Sequence, residues 1–92
     1  MDEKYYTYVL YSDSSKQLYI GQTKDIERRL KQHNKGKVES TKPYIPYKLV
    51  YYEELNTKEE AIKREKDLKQ ANGRRFIKRV LDKNIMPGWR NW

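Results

Sequence analysis

A chain of 92 residues has room for one small domain with a lean core, because so short a chain buries only a modest share of its surface. Lys and Arg outnumber Asp and Glu by 21 to 13, for a formal net charge of +8, and nine tyrosines are interleaved with these charges; the balance favours a polyanionic partner, nucleic acid first, over an acidic small molecule. With no cysteine and a single histidine, disulfides, thiolate metal sites, thiol nucleophiles and His-rich zinc sites are excluded.

The N-terminus, Met1-Asp2-Glu3-Lys4, has no signal-peptide pattern, and no apolar run in the chain is long enough to span a bilayer, so the expectation is a cytoplasmic protein that does not enter the membrane. Tyr5 to Tyr11 is dense in aromatic and β-branched residues and predicts a first strand, and Leu18-Tyr19-Ile20-Gly21 predicts a second. The polar segment between them reads as a hairpin turn. If Ser12 pairs with Gln17 across a four-residue loop, Leu10 lies opposite Tyr19 and Tyr8 opposite Gly21. The two tyrosines then share one face, and Gly21 leaves space over Tyr8. A three- or five-residue loop would put them on opposite faces.

A helix should start near Thr23 or Asp25, both plausible caps, and end near Gly36. At ~100° per residue, Ile26, Arg29, Leu30 and His33 fall on one stripe while Arg28, Lys31 and Gln32 point away. That makes Arg29, and not Arg28, the candidate functional arginine. The segment from Lys35 to Tyr47 is a long basic connection. Lys35, Lys37 and Lys42 are candidates to track phosphates, and Tyr44 or Tyr47 is available to stack on a base. Its plainer reading is a solvated loop joining helix to strand.

A third strand is expected over Tyr47 to Tyr52. Thr57-Lys58-Glu59-Glu60 is a capping box that opens a second helix, and Asn72-Gly73 is expected to close it. Ala61, Ile62 and Leu68 form its apolar face, with Glu65 among them, an unusual place for a carboxylate. Phe76, Ile77, Val80 and Leu81 mark a last helix, ended by Pro87; Arg74, Arg75, Lys78 and Arg79 extend the basic surface or form a wet helix face. The expected fold class is α+β, a small three-stranded, mainly antiparallel sheet flanked by helices. It forms one domain over 1–92, with a core at about 5–82 and a tail at 83–92.

Tyr6-Thr7-Tyr8, then Tyr19-Ile20-Gly21, then Arg29, His33 and a helical Glu65 resemble the GIY-YIG nuclease domain over roughly residues 5 to 70. The second triplet is intact, while Tyr6-Thr7 replaces the Gly-Ile of the first. Glu60-Ala61-Ile62-Lys63-Arg64-Glu65 is similar to the helix of small stand-alone members, related to the N-terminal nuclease domain found in the bacterial excinuclease. The resemblance implies an endonuclease that hydrolyses DNA with one divalent cation, magnesium or else manganese, in DNA repair or recombination. It implies Glu65 as metal ligand, Tyr8 as general base, Arg29 on the scissile phosphate and Tyr19 orienting phosphate or water. His33 would assist Tyr8 or hold the leaving strand. Gly21 is an accessory residue, and Asn72 is the best match to an asparagine found in some members.

The chemistry is consistent with these residue types. One hard cation held by a single carboxylate can neutralise phosphoryl charge and stabilise a leaving oxygen, and Arg offers a planar fork of donors to phosphate. A phenol with a pKa of about 10 is a poor base at neutral pH, so Tyr8 needs nearby cations to lower that value. Each residue also has an ordinary reading: strand packing for the tyrosines, snorkelling for Arg29, helix capping for His33, and an ion pair with Lys69 for Glu65. Their joint order and spacing favour a site. The rival reading is a catalytically inactive nucleic-acid-binding module; a protein-interaction adaptor fits less well, because no apolar surface stripe stands out.

Overall fold

A computed structural model describes residues 4–83. The chain order is β1 (Tyr5–Ser12), β2 (Gln17–Thr23), α1 (Ile26–Asn34), a 3-10 turn (Lys42–Tyr44), β3 (Lys48–Leu55), α2 (Lys58–Lys69) and α3 (Ala71–Lys83). Expectations placed on Pro87 and on tail residues 84–92 lie outside the described residues. The sheet order is β2-β1-β3 with both pairings antiparallel, so β1 is central and β2 and β3 are edges. Among the described residues, no helix is long and apolar enough to cross a membrane.

The hairpin adopts the four-residue register: Ser12 pairs with Gln17, Leu10 with Tyr19 and Tyr8 with Gly21. Alternation along β1 then divides the core between the two sheet faces. Val9 packs with Ile20, Leu68 and Ile77 beneath α2 and α3, while Tyr8, Leu10 and Tyr47 pack beneath Ile26 and Leu30 of α1. Thr7, on the α2 side, donates its hydroxyl hydrogen to the Ala61 carbonyl at 2.7 Å, which joins strand and helix through a fully buried polar contact.

Local signals account for most helix starts. Asp25 caps α1 by accepting from the Arg28 N–H, and Thr57 with Glu60 closes the capping box of α2 in both directions. The end of α2 differs from the expectation. The helix stops at Lys69, Gln70 is extended, and Asn72-Gly73 lies inside the first turn of α3. Gly73 is required there by proximity and not as a helix cap: a Cβ would lie 2.3 Å from the Asp67 carbonyl oxygen and 2.4 Å from Leu68 Cα. The missing side chain lets α3 turn back tightly against the end of α2.

The third strand starts one residue late, at Lys48, because Tyr47 is drawn inward. Asn34 accepts from the Tyr47 N–H at 2.6 Å and donates to its carbonyl at 3.0 Å. Tyr47 is only 3% exposed, so the basic loop's stacking candidate is Tyr44, not Tyr47.

Candidate active site

Four of the predicted site residues meet on the α1 face at the β2 edge of the sheet. Tyr8 projects from the central strand, and its phenol lies over Gly21 of β2. A Cβ at Gly21 would stand 2.8 Å from Tyr8 Oη and 3.0 Å from Tyr19 Cε2, so glycine is the residue that admits both rings. The Tyr8 and Tyr19 ring centroids are 6.1 Å apart, and His33 lies 4.6 Å from Tyr19. Arg29 turns its guanidinium to the phenol oxygens of Tyr8 and Tyr19, which keep it firmly charged, and donates to Gln32 Oε1 at 3.0 Å. Arg28 is exposed on the far side of α1.

His33 is fully buried, and both ring nitrogens are engaged. Nε2 is 3.2 Å from Tyr8 Oη and Nδ1 is 2.8 Å from Thr41 Oγ1. Thr41 has one hydroxyl hydrogen, which it donates to the Val38 carbonyl at 3.3 Å. With that hydrogen on Val38, the Thr41 oxygen accepts from His33 Nδ1–H, and the Nε2 lone pair accepts the Tyr8 hydroxyl hydrogen. Burial, reinforced by the nearby Arg29 cation, depresses the imidazole pKa to about 4, so the ring is neutral at pH 7.

Cations close to Tyr8 are expected to lower its pKa, but burial outweighs them. Tyr8 is 1% exposed, and desolvation pushes its phenol up to about 12, with Arg29 opposing and the Tyr19 and Glu65 charges adding to the rise. Tyr8 is a neutral hydroxyl in the resting protein. The Glu65 effect is the smallest of these, and its carboxylate lies within electrostatic reach of the phenol.

Glu65 is a half-buried carboxylate, 23% exposed, and Lys69 donates to its Oε2 at 2.8 Å. Lys69 and Tyr19 line the same groove, so this ion pair borders the tyrosine cluster. Asn72 is exposed on α3, with no described contact to the cluster. Lys35, Lys37, Lys42 and Tyr44 are exposed on the loop after α1. The residue that sequence reasoning missed is Thr41. It sits in that loop as an apparently solvated polar residue, yet it is 1% exposed and braces His33. Periodicity offers no signal for a contact made from an irregular loop.

Known proteins are similar to this chain along most of its length. Residues 4–79 match the GIY-YIG catalytic domain. A UPF0213 protein of Staphylococcus saprophyticus is 41% identical over 89% of this chain and 99% of its own length. A second, from Streptococcus pneumoniae, is 38% identical over 94% of this chain and 90% of its own. The solution NMR structure of the UPF0213 protein BH0048 from Bacillus halodurans is 30% identical and aligns with a TM-score of 0.53 over 94% of this chain and 90% of that one. The family model spans most of the chain and these relatives cover nearly all of it: the chain belongs to the GIY-YIG family.

Proposed function

We propose that this protein is a metal-dependent endonuclease that hydrolyses DNA phosphodiester bonds in the cytoplasm, with a place in DNA repair or recombination. The observation that carries the reading is the buried hydrogen-bonded line Tyr8–His33–Thr41 beside Arg29, within electrostatic reach of Glu65. Arg29 binds the non-bridging oxygens of the scissile phosphate through its planar fork, and Tyr19 orients phosphate or water.

A phenol of pKa about 12 is ionised in only about one molecule in 10⁵ at pH 7, a cost of about 7 kcal/mol. Tyr8 therefore does not wait as a phenolate. As the water oxygen bonds to phosphorus, Tyr8 Oη takes the water proton and passes its own proton to His33 Nε2. The bridging ester oxygen leaves and is protonated from solvent. The product imidazolium keeps both hydrogen bonds and returns its proton through Tyr8.

A divalent cation fits Glu65, because the carboxylate is a hard ligand already neutralised by a removable cation, Lys69 Nζ. Among the described residues no group of three or more acidic, His or Cys side chains could hold a metal, so water would supply most of the other ligands, as magnesium prefers, with manganese as the alternative. Such an ion neutralises charge on the phosphoryl and leaving oxygens.

The second reading, a catalytically inactive nucleic-acid-binding module, draws on the same Glu65–Lys69 contact, which as an i,i+4 ion pair is an ordinary helix-surface feature. Plasmid nicking by the purified protein in magnesium, with chelator and Glu65→Gln as controls, separates the two. Nicking lost in both controls supports the enzyme, and no nicking in any divalent metal supports the binding module.

A further inference from the structure

The outer edge of β2 faces no other strand among the described residues. A groove runs along it, lined by Lys16, Gln17, Leu18, Tyr19, Lys69 and Arg74. We propose that this groove is the track for the DNA strand flanking the scissile phosphate, with Lys16 and Arg74 as phosphate contacts outside the reaction centre. The proposal rests on the nuclease reading and specifies how its substrate lies.

Position supports it first. The groove begins at Tyr19 and at Lys69, the partner of Glu65, and ends at the hairpin. Lys16 precedes Tyr19 by three positions, roughly 10 Å of extended chain, which suits the phosphates next to the one that is cut. Charge supports it next. Lys16, Arg74 and Lys69 line the groove and no carboxylate does, and of the three Lys69 is paired to Glu65 at 2.8 Å. By contrast, the other basic groove, on the outer face of α1, mixes Arg28, Lys31, Lys35 and Lys37 with Asp25 and Glu27, and Lys31 is paired to Glu27 at 3.8 Å. That second groove holds two of the lysines that the sequence suggests as phosphate contacts.

Lys16 has a φ of +58°, the only left-handed residue other than glycine among those described. Glycine or asparagine is the ordinary choice there, and a long side chain in that region is disfavoured. Leu18, 39% exposed, and Tyr19 offer surface for a base between the cations. The unpaired N–H groups of an edge strand add donors for phosphate oxygens.

The test is binding without divalent cation, so that nothing is cut. Fluorescence anisotropy of a short labelled single-stranded DNA is followed across a salt series for wild type, Lys16→Gly, Arg74→Gln and a Lys35→Ala/Lys37→Ala double variant. Lys16→Gly and Arg74→Gln should each weaken binding and flatten the slope of log affinity against log salt by about 0.7, one phosphate contact for a single strand. Lys16→Gly should also raise the thermal midpoint, since glycine relieves the left-handed backbone, so its weaker binding cannot be a folding defect.

Unchanged slopes in both single variants would overturn the track and leave these cations as guards against edge-to-edge strand pairing. A loss confined to the Lys35/Lys37 variant would overturn it in favour of the α1 groove. A protein that cuts DNA with both slopes unchanged keeps the nuclease reading and loses the track. One that never cuts yet shows both losses does the opposite.

Discussion

The two halves of the site are built differently. On the α1 side, Tyr8, His33 and Thr41 are buried and joined by hydrogen bonds, and Arg29 is held against two phenols. On the α2 side, Glu65 is partly exposed and pairs with a lysine one turn away. The α1 half is preorganised, which suits groups that must meet a transition state without rearranging. The α2 half is open and adjustable, which suits a ligand for a hydrated cation that arrives and leaves.

The largest effect expected from this contrast is on the open half. Glu65→Gln should lower metal-dependent cleavage by roughly a thousandfold or more, because it removes the carboxylate charge that holds the cation. It should leave the thermal midpoint almost unchanged, since a partly exposed i,i+4 pair adds little to stability. Undiminished turnover in magnesium would remove Glu65 from the site and the contrast with it.

Next comes Arg29→Ala, expected to cost ~3 kcal/mol in transition-state binding, about a hundredfold in single-turnover rate at saturating DNA. Arg28→Ala, on the solvent side of the same helix, should change that rate only slightly. Equal losses at the two positions would mean that net charge, not placement, carries the effect.

The buried half should also announce itself in the pH dependence of stability. His33 titrates at about 4 in the fold against an ordinary value of 6.5, so between these values the unfolded chain binds the extra proton. Stability is complete above pH 6.5 and declines as pH falls towards 4, by up to about 3 kcal/mol. Denaturant titrations of wild type and His33→Gln at pH 7 and pH 5 isolate the imidazole; a wild-type loss no greater than the variant's would show that the ring is not buried neutral.

The smallest expected effect is at Thr41. Thr41→Val takes away the acceptor of His33 Nδ1–H and should cost about 1–3 kcal/mol of stability. Cleavage should fall about tenfold as the tautomer loses its constraint. Thr41→Ser should restore both. Imidazole ¹⁵N shifts that already show a protonated Nε2 in wild type would refute the relay.

Much of the fold is legible in the sequence because its causes are local. The polar segment marks the hairpin, a capping box sets the start of α2, and helical periodicity separates Arg29 from Arg28. What escapes depends on distant packing. Asn72-Gly73 reads as a helix end, yet Gly73 answers to the Asp67 carbonyl pressed against it from α2. Tyr47 reads as a surface aromatic until Asn34 ties its backbone inward. Charged neighbours suggest a lowered pKa for Tyr8, but the low polarity of its surroundings dominates, and no pattern of neighbours along the chain reports that.

The bareness of Gly21 also has a kinetic meaning. Because no side chain stands there, Tyr8 reaches the site across β2 while remaining rooted in β1, the strand paired on both sides. Central strands open only with the whole molecule, whereas edges fray at far lower free energy. In hydrogen exchange, β1 amides should report global unfolding, and those of β2 should exchange earlier. Under the proposed DNA track, an edge that opens first would give a strand room to enter and leave while Tyr8 keeps its position.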